Sequence, residues 1–376
     1  MLKLPPFVIC LFFGLSVSRV VAEEVPRIGD AHPTRPEYKL VWQDEFVDEK
    51  LDRKKWRPVD DTVIGQYGHG NGEAQAYVDA EGETFYVRDG QLTIIARHAP
   101  DAKYPLKDGK NGKFVREIDH QDFRSAKLET KGLASFTYGL VEARIKNPRD
   151  KSGKKTAVPV WPAFWMLPEP GSAPFWGYWD AQAAAKKWKW SYSSWPYSGE
   201  IDIMEMSGRA TRLYHGGAVY HRSPKEWTVG NIGWYSHYRR YDGAIDPKQW
   251  IADQVLDGSL QPKDGEASYP DNFHVFGCEW TKDRIVFMFD HQEWGKGLDL
   301  AEQKKFGGRS VYRDYPFYLI LNQAVGGKYF GVWGPRDKGP DKKGQNELYD
   351  FALFPQQMQV DWVRVYQKGG EKTEGE

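Results

Sequence analysis

Hydrophobic and polar residues alternate along this chain in short runs that end at clusters of Gly, Asp, Asn and Pro. In YGLVEARIK (138–146), Val141, Ala143 and Ile145 alternate with Glu142, Arg144 and Lys146. That period of two predicts a strand with one packed and one wetted face. YKLVW (38–42), RIVFMFD (284–290), PFYLILNQAV (316–325) and MQVDWVRVYQ (358–367) read as further strands. TFYVRDGQLTIIA (84–96) reads as a hairpin around Asp89-Gly90, a dipeptide suited to a two-residue turn. Helical periodicity is confined to a short stretch around Asp180 to Lys187, and no internal repeat is found. The pattern predicts an all-β sandwich or barrel and speaks against a doubly wound α/β fold, whose crossover helices are missing.

Residues 1–22 read as a secretory signal: Lys3, the apolar run 7–17, then Val20-Val21-Ala22 as a small-residue cleavage site. The run is shorter than the roughly 20 residues that span a bilayer. A secreted or periplasmic protein is expected, with no membrane association after cleavage. Residues 23–36, polar and Pro-rich, read as a linker, 37–368 as one catalytic domain, and 369–376 as a disordered tail. Within the domain, 101–122, 169–198 and 222–271 look like insertions on the strand scaffold. Once the leader is gone only Cys278 remains, so no intrachain disulfide can form.

Composition narrows the function classes. The 376 residues carry 52 Lys+Arg against 52 Asp+Glu, a formal net charge of zero, so the chain lacks the field of a nucleic-acid binder. Aromatics reach 15%, with 16 Trp, and seven of these lie between Trp161 and Trp195. Trp offers a large rigid face at low entropic cost, which suits stacking on the C–H faces of sugar rings.

The decisive segment is SGEIDIMEM (198–206). On a strand, Glu200 and Asp202 share one face and Ile201 and Ile203 the other. Strict alternation would bury Glu205 among apolar groups, which is costly. A one-residue bulge at Ile203-Met204 repairs the phase and turns all three acids to one side. Three carboxylates in a row repel one another, so the arrangement points to chemistry that needs closely set acids of unequal pKa. Glu200 and Glu205 are then candidates for the carboxylate pair of glycoside hydrolysis. A solvated acidic face and a calcium site are the alternatives.

SGEIDIMEMSG resembles the active-site signature of glycoside hydrolase family 16, in the E-x-D-x-x-E form typical of laminarinases and their agarase and carrageenase relatives. LVWQDEF (40–46), NGEAQAYV (71–78), FTYGLVEARIKNP (136–148) and VWPAFWMLP (160–168) are similar to successive family blocks. So are 273–290, FYLILNQAVGG (317–327) and VDWVRVYQ (360–367). The resemblance implies a jelly-roll β-sandwich, concanavalin A-like, with a concave substrate cleft. It implies a retaining endo-glycosidase acting on β-1,3-glucan, with a red-algal galactan as the alternative substrate. A non-catalytic β-glucan-binding protein or a transglycosylase is a more distant alternative.

Carried over position by position, the resemblance makes Glu200 the nucleophile, Glu205 the general acid/base and Asp202 the acid that assists the nucleophile. It assigns Asn71, Trp161 and Trp195 to sugar contacts. Trp165 and His215 are weighed as further substrate contacts, Trp165 against core packing and His215 against an ordinary strand histidine. Family members often hold a structural calcium, and the matching positions are Glu45, the Gly90 carbonyl and Asp361. No cofactor is expected for catalysis. The expected partner is a polysaccharide, and the expected state a monomer. Because Glu205 must start protonated, activity is expected to follow a bell-shaped pH profile.

Overall fold

A computed structural model describes residues 25–63, 73–100, 104–107, 114–118, 122–148, 160–172, 200–206, 212–215, 229–236, 272–300, 312, 314–327 and 351–369. The described regular structure is nearly all β, in two large sheets and one small hairpin. The first sheet runs β17 (Gln292–Asp299), β16 (Arg284–Phe289), β15 (His274–Trp280), β10 (Gly139–Lys146), β19 (Gln356–Lys368), β5 (Gln91–His98), β8 (Phe123–Ser125) and β3 (Gln75–Tyr77). β1 (Tyr38–Asp44) also pairs with β19, and β4 (Phe85–Arg88) with β5, making ten strands. The second sheet has seven: β13 (Arg212–His215), β14 (Val229–Ser236), β12 (Glu200–Glu205), β11 (Val160–Pro168), β18 (Phe317–Val325), β9 (Lys127–Glu129) and β2 (Arg57–Pro58). β6 (Tyr104–Lys107) and β7 (Phe114–Ile118) form the hairpin, inside the first expected insertion.

The two sheets close over one core. Val141, Ala143, Ile145, Phe276, Cys278, Val363 and Val365 come from the ten-stranded sheet. They meet Phe164, Met166, Ile201, Ile203, Met204, Leu319 and Leu321 from the other. Alternate residues of each strand thus interdigitate between the layers, as in a sandwich, and each large side chain contributes about 1.5–3 kcal/mol on burial. The Asp89-Gly90 hairpin forms as expected: Arg88 pairs with Gln91, and both turn residues have positive φ, 53° and 73°. The short helix expected around Asp180 to Lys187 lies outside the described residues, as do most of the segments 169–198 and 222–271.

Two expectations change. The segment expected to be a linker is, from residue 25 onward, laid against the sheet. His32 N donates to Tyr38 O, Leu40 N to Asp30 O and Gly29 N to Leu40 O, and Ala31 bridges to Lys39. Polar, Pro-containing sequence carries no periodicity that would announce this. The second change follows from it. The β10 face expected to be wetted is covered at Glu142, which is fully buried together with His32. A small apolar cluster of Tyr38, Leu40, Leu140, Met288 and Tyr366 lies apart from the main core.

Candidate active site

β12 carries the acids, and its pairing with β11 contains the bulge. Phe164 faces Met204 and Trp165 faces Asp202, so Ile203 is the extra residue. Ile201, Ile203, Met204 and Met206 are all in the core. Glu200 is part-exposed, while Asp202 and Glu205 are 6% and 8% exposed. The extra residue costs one break in the ladder and spares Glu205 a place among the methionines.

The electrostatics bind the three acids into one unit. Burial, then the charges of Glu200 and Glu205, then a hydrogen bond to Glu200 push Asp202 well above the usual carboxylate range. These surroundings favour the protonated form of Asp202, the form that donates in that hydrogen bond and makes Glu200 the acceptor. Glu205 is held from the neighbouring strand: Trp161 Nε1 donates to its Oε1 at 3.0 Å. Trp161 is part-exposed, so its ring is pinned beside the acid and still open on one side.

Trp165 is settled by its neighbour. Phe164 is fully buried in the core, and Trp165, opposite Asp202, lies on the acid-bearing face. Its Nε1 donates to Asn322 Oδ1 at 2.6 Å, and Asn322 Nδ2 donates to the Tyr77 hydroxyl at 2.9 Å. Lys127 Nζ lies 5.0 Å from the Trp165 ring centroid, within cation–π range. Burial lowers the pKa of Lys127, against the raising influence of Glu129, Asp61 and Glu73. Arg57 pairs with Glu129 at the far edge of the same sheet. The acids thus continue into a polar floor that crosses β11, β18, β9 and β2. Sequence reasoning missed Asn322, Lys127, Glu129 and Tyr77 as a group. The available signal was alternation in KLE, which sets Lys127 and Glu129 on the face opposite the core, while the adjacent Asn322-Gln323 and the distant Tyr77 gave none.

Asn71 and Trp195 lie outside the described residues. His215 ends the edge strand β13, which runs parallel to β14, and its side chain is likewise outside what is described. The three positions matched to calcium are each described. Glu45 is gripped by Arg364, Nε to Oε1 at 2.8 Å and Nη2 to Oε2 at 2.9 Å. Asp361 pairs with Arg144, and Gly90 sits in its hairpin turn. With an arginine against each carboxylate, these residues as arranged do not fit a dication.

No protein-family model matches the chain. A β-glucanase of Rhodothermus marinus is 31% identical over 343 residues, spanning 90% of this chain and 88% of its own length. The non-specific endo-β-1,3(4)-glucanase SCLam, described as a family GH16 protein, superimposes with a TM-score of 0.55 at 29% identity, over 88% of this chain and 92% of that one. The solved laminarinase of Rhodothermus marinus gives a TM-score of 0.56 at 26% identity, over 88% and 97%.

Proposed function

The chain belongs to glycoside hydrolase family 16, in its laminarinase-like branch, and on that premise we propose that it cleaves internal bonds of β-1,3-glucan by double displacement. Glu200 attacks the anomeric carbon while Glu205, protonated at the outset, gives its proton to the departing glycosidic oxygen. Glu205 then takes a proton from water, and the resulting hydroxide releases the glycosyl-enzyme. Asp202, kept neutral, holds Glu200 by a hydrogen bond without adding a third charge. The observation that carries this reading is the bulge at Ile203, which puts Glu205 on the same side as Glu200 and Asp202. Trp161 and Trp165 supply part of the sugar-binding floor, joined by Asn71, Trp195 and His215 from the flanking segments.

The polysaccharide is met outside the cell or in the periplasm, reached through the leader at 1–22. No described helix is long and apolar enough to cross a membrane. The protein works as a monomer without a catalytic cofactor. A panel of laminarin, mixed-linkage glucan, agarose, porphyran and carrageenan, scored by reducing ends and product length, tests this reading. Rapid release of mixed oligosaccharides from laminarin is expected. Turnover confined to a galactan would overturn the substrate, and glycosyl transfer outrunning hydrolysis would overturn the reaction.

A further inference from the structure

The ten-stranded sheet holds a second convergence of chemically capable side chains, in a different sheet from the acids. His32 from the N-terminal segment, Glu142 from β10 and His291 from the β16–β17 turn come together, with one ligand-type atom of each within 4.8 Å of the others. His32 Nε2 lies 3.0 Å from Glu142 Oε2, and His291 Nδ1 lies 2.9 Å from Glu142 Oε1. We propose that these three residues form a binding site for a divalent transition-metal cation of the zinc type, which clamps the N-terminal segment to the sheet.

Two features beyond the cluster itself support this. The first is the turn that presents His291. Asp290 and His291 have φ of 48° and 63°, the same left-handed pair that Asp89 and Gly90 adopt, yet an imidazole stands where the other hairpin has glycine. Holding a side chain there costs on the order of 1 kcal/mol relative to glycine. What the turn gains is an imidazole aimed at a buried carboxylate. The second is room made for that carboxylate. A Cβ at Gly277, on β15 opposite Glu142, would meet Glu142 Cγ at 3.1 Å.

The donor set decides the ion. Two imidazoles and one carboxylate suit zinc and its neighbours in the first transition series, whereas calcium and magnesium prefer all-oxygen shells. Ligand atoms of tetrahedral zinc stand about 3.3 Å apart, given bonds of about 2.0–2.1 Å, so the two His–Glu spacings open slightly, and the imidazoles, which now meet different oxygens of Glu142, turn toward one point. To bind, each imidazole moves its proton to the other ring nitrogen. For His32 that nitrogen is Nδ1, whose N–H then donates a hydrogen bond to the Thr34 hydroxyl, 3.4 Å away. The Thr34 N–H, a long contact to the same nitrogen at 3.3 Å, gives way. The His291 side chain is 32% exposed, leaving an approach for the ion and for a fourth, water ligand.

The test uses the full chain, stripped with a chelator and titrated with zinc chloride by calorimetry, and with cobalt(II) by visible absorption. One equivalent of zinc, a cobalt spectrum of low coordination number and a rise in thermal midpoint of roughly 3–5 °C at saturating zinc are expected. His291→Asn keeps a residue that tolerates the left-handed turn and still offers an N–H, but removes the imidazole. It is expected to weaken zinc at least ~100-fold while remaining folded. His32→Gln serves as the second variant and is expected to do the same. Wild-type binding of less than half an equivalent, or equal affinity in wild type and both variants, would overturn the site and leave a hydrogen-bonded clasp. Hydrolysis of glucan is expected to be the same with and without zinc, so failure here is separable from failure of the proposed function.

Discussion

Asp202 on the seven-stranded sheet and Glu279 on the ten-stranded sheet are both buried carboxylates, and their surroundings push them in opposite directions. Around Asp202, burial is reinforced by two more acids. Around Glu279, burial is outweighed by a hydrogen bond from the Tyr38 hydroxyl at 2.7 Å and by Arg284 and Arg35. Glu45 with Arg364, and Asp361 with Arg144, follow the second pattern. One sheet matches its acids with bases, which is how charge is made tolerable in a fold. The other does so for Glu129 with Arg57 but also gathers three acids on β12, a cluster that points to unequal protonation doing work.

The contrast is broken most directly at the glutamates. Glu200→Ala is expected to lower kcat on the order of 10^4–10^6-fold, and Glu205→Gln about 10^2–10^4-fold, with thermal midpoints close to wild type. Steady-state kinetics beside calorimetry would reveal the reverse, a stability loss with activity kept. On the other sheet Arg364→Met leaves the Glu45 carboxylate stranded and is expected to cost about 3–5 kcal/mol in urea unfolding, with activity per folded molecule unchanged.

A finer test is the pH dependence of stability. Asp202 is raised, so its favourable contribution is complete below the unfolded value of about 3.9 and is lost as pH climbs through the native value. Glu279 is depressed, so its contribution is present above about 4.3 and is lost as pH falls through the lower native value. Asp202→Asn should therefore raise the thermal midpoint at neutral pH, and Glu279→Gln should lower it. Both differences should shrink as the buffer is made acidic. Equal signs for the two variants would erase the comparison. The smallest effect is expected at Trp161→Phe, which removes the N–H donated to Glu205: about 1 kcal/mol, or ~5-fold in kcat/KM.

The sequence was legible wherever neighbours along the chain decide the outcome. The Asp89-Gly90 turn and the bulge at Ile203 follow from local alternation and from the cost of burying an acid, and both are found where expected. Trp165 was undecided because periodicity alone does not say which face of β11 meets the core, and full burial of Phe164 decides it. Glu142 was misjudged as wetted because its cover comes from residues 25–36, more than a hundred positions away. The arginines on Glu45 and Asp361 were invisible for the same reason: each pair joins residues more than two hundred positions apart. Asn322 and Lys127 come together only through register across β18 and β9, and Tyr77 joins them from the other sheet through its hydrogen bond with Asn322.

Cys278 has a consequence of its own. It is free and fully buried in the core, and burial together with the neighbouring Glu279 drives its thiol far from ionisation. A sulfur so placed neither attacks nor is readily attacked, and the described core is held by packing with no covalent staple. Oxidising or reducing surroundings should leave that packing alike.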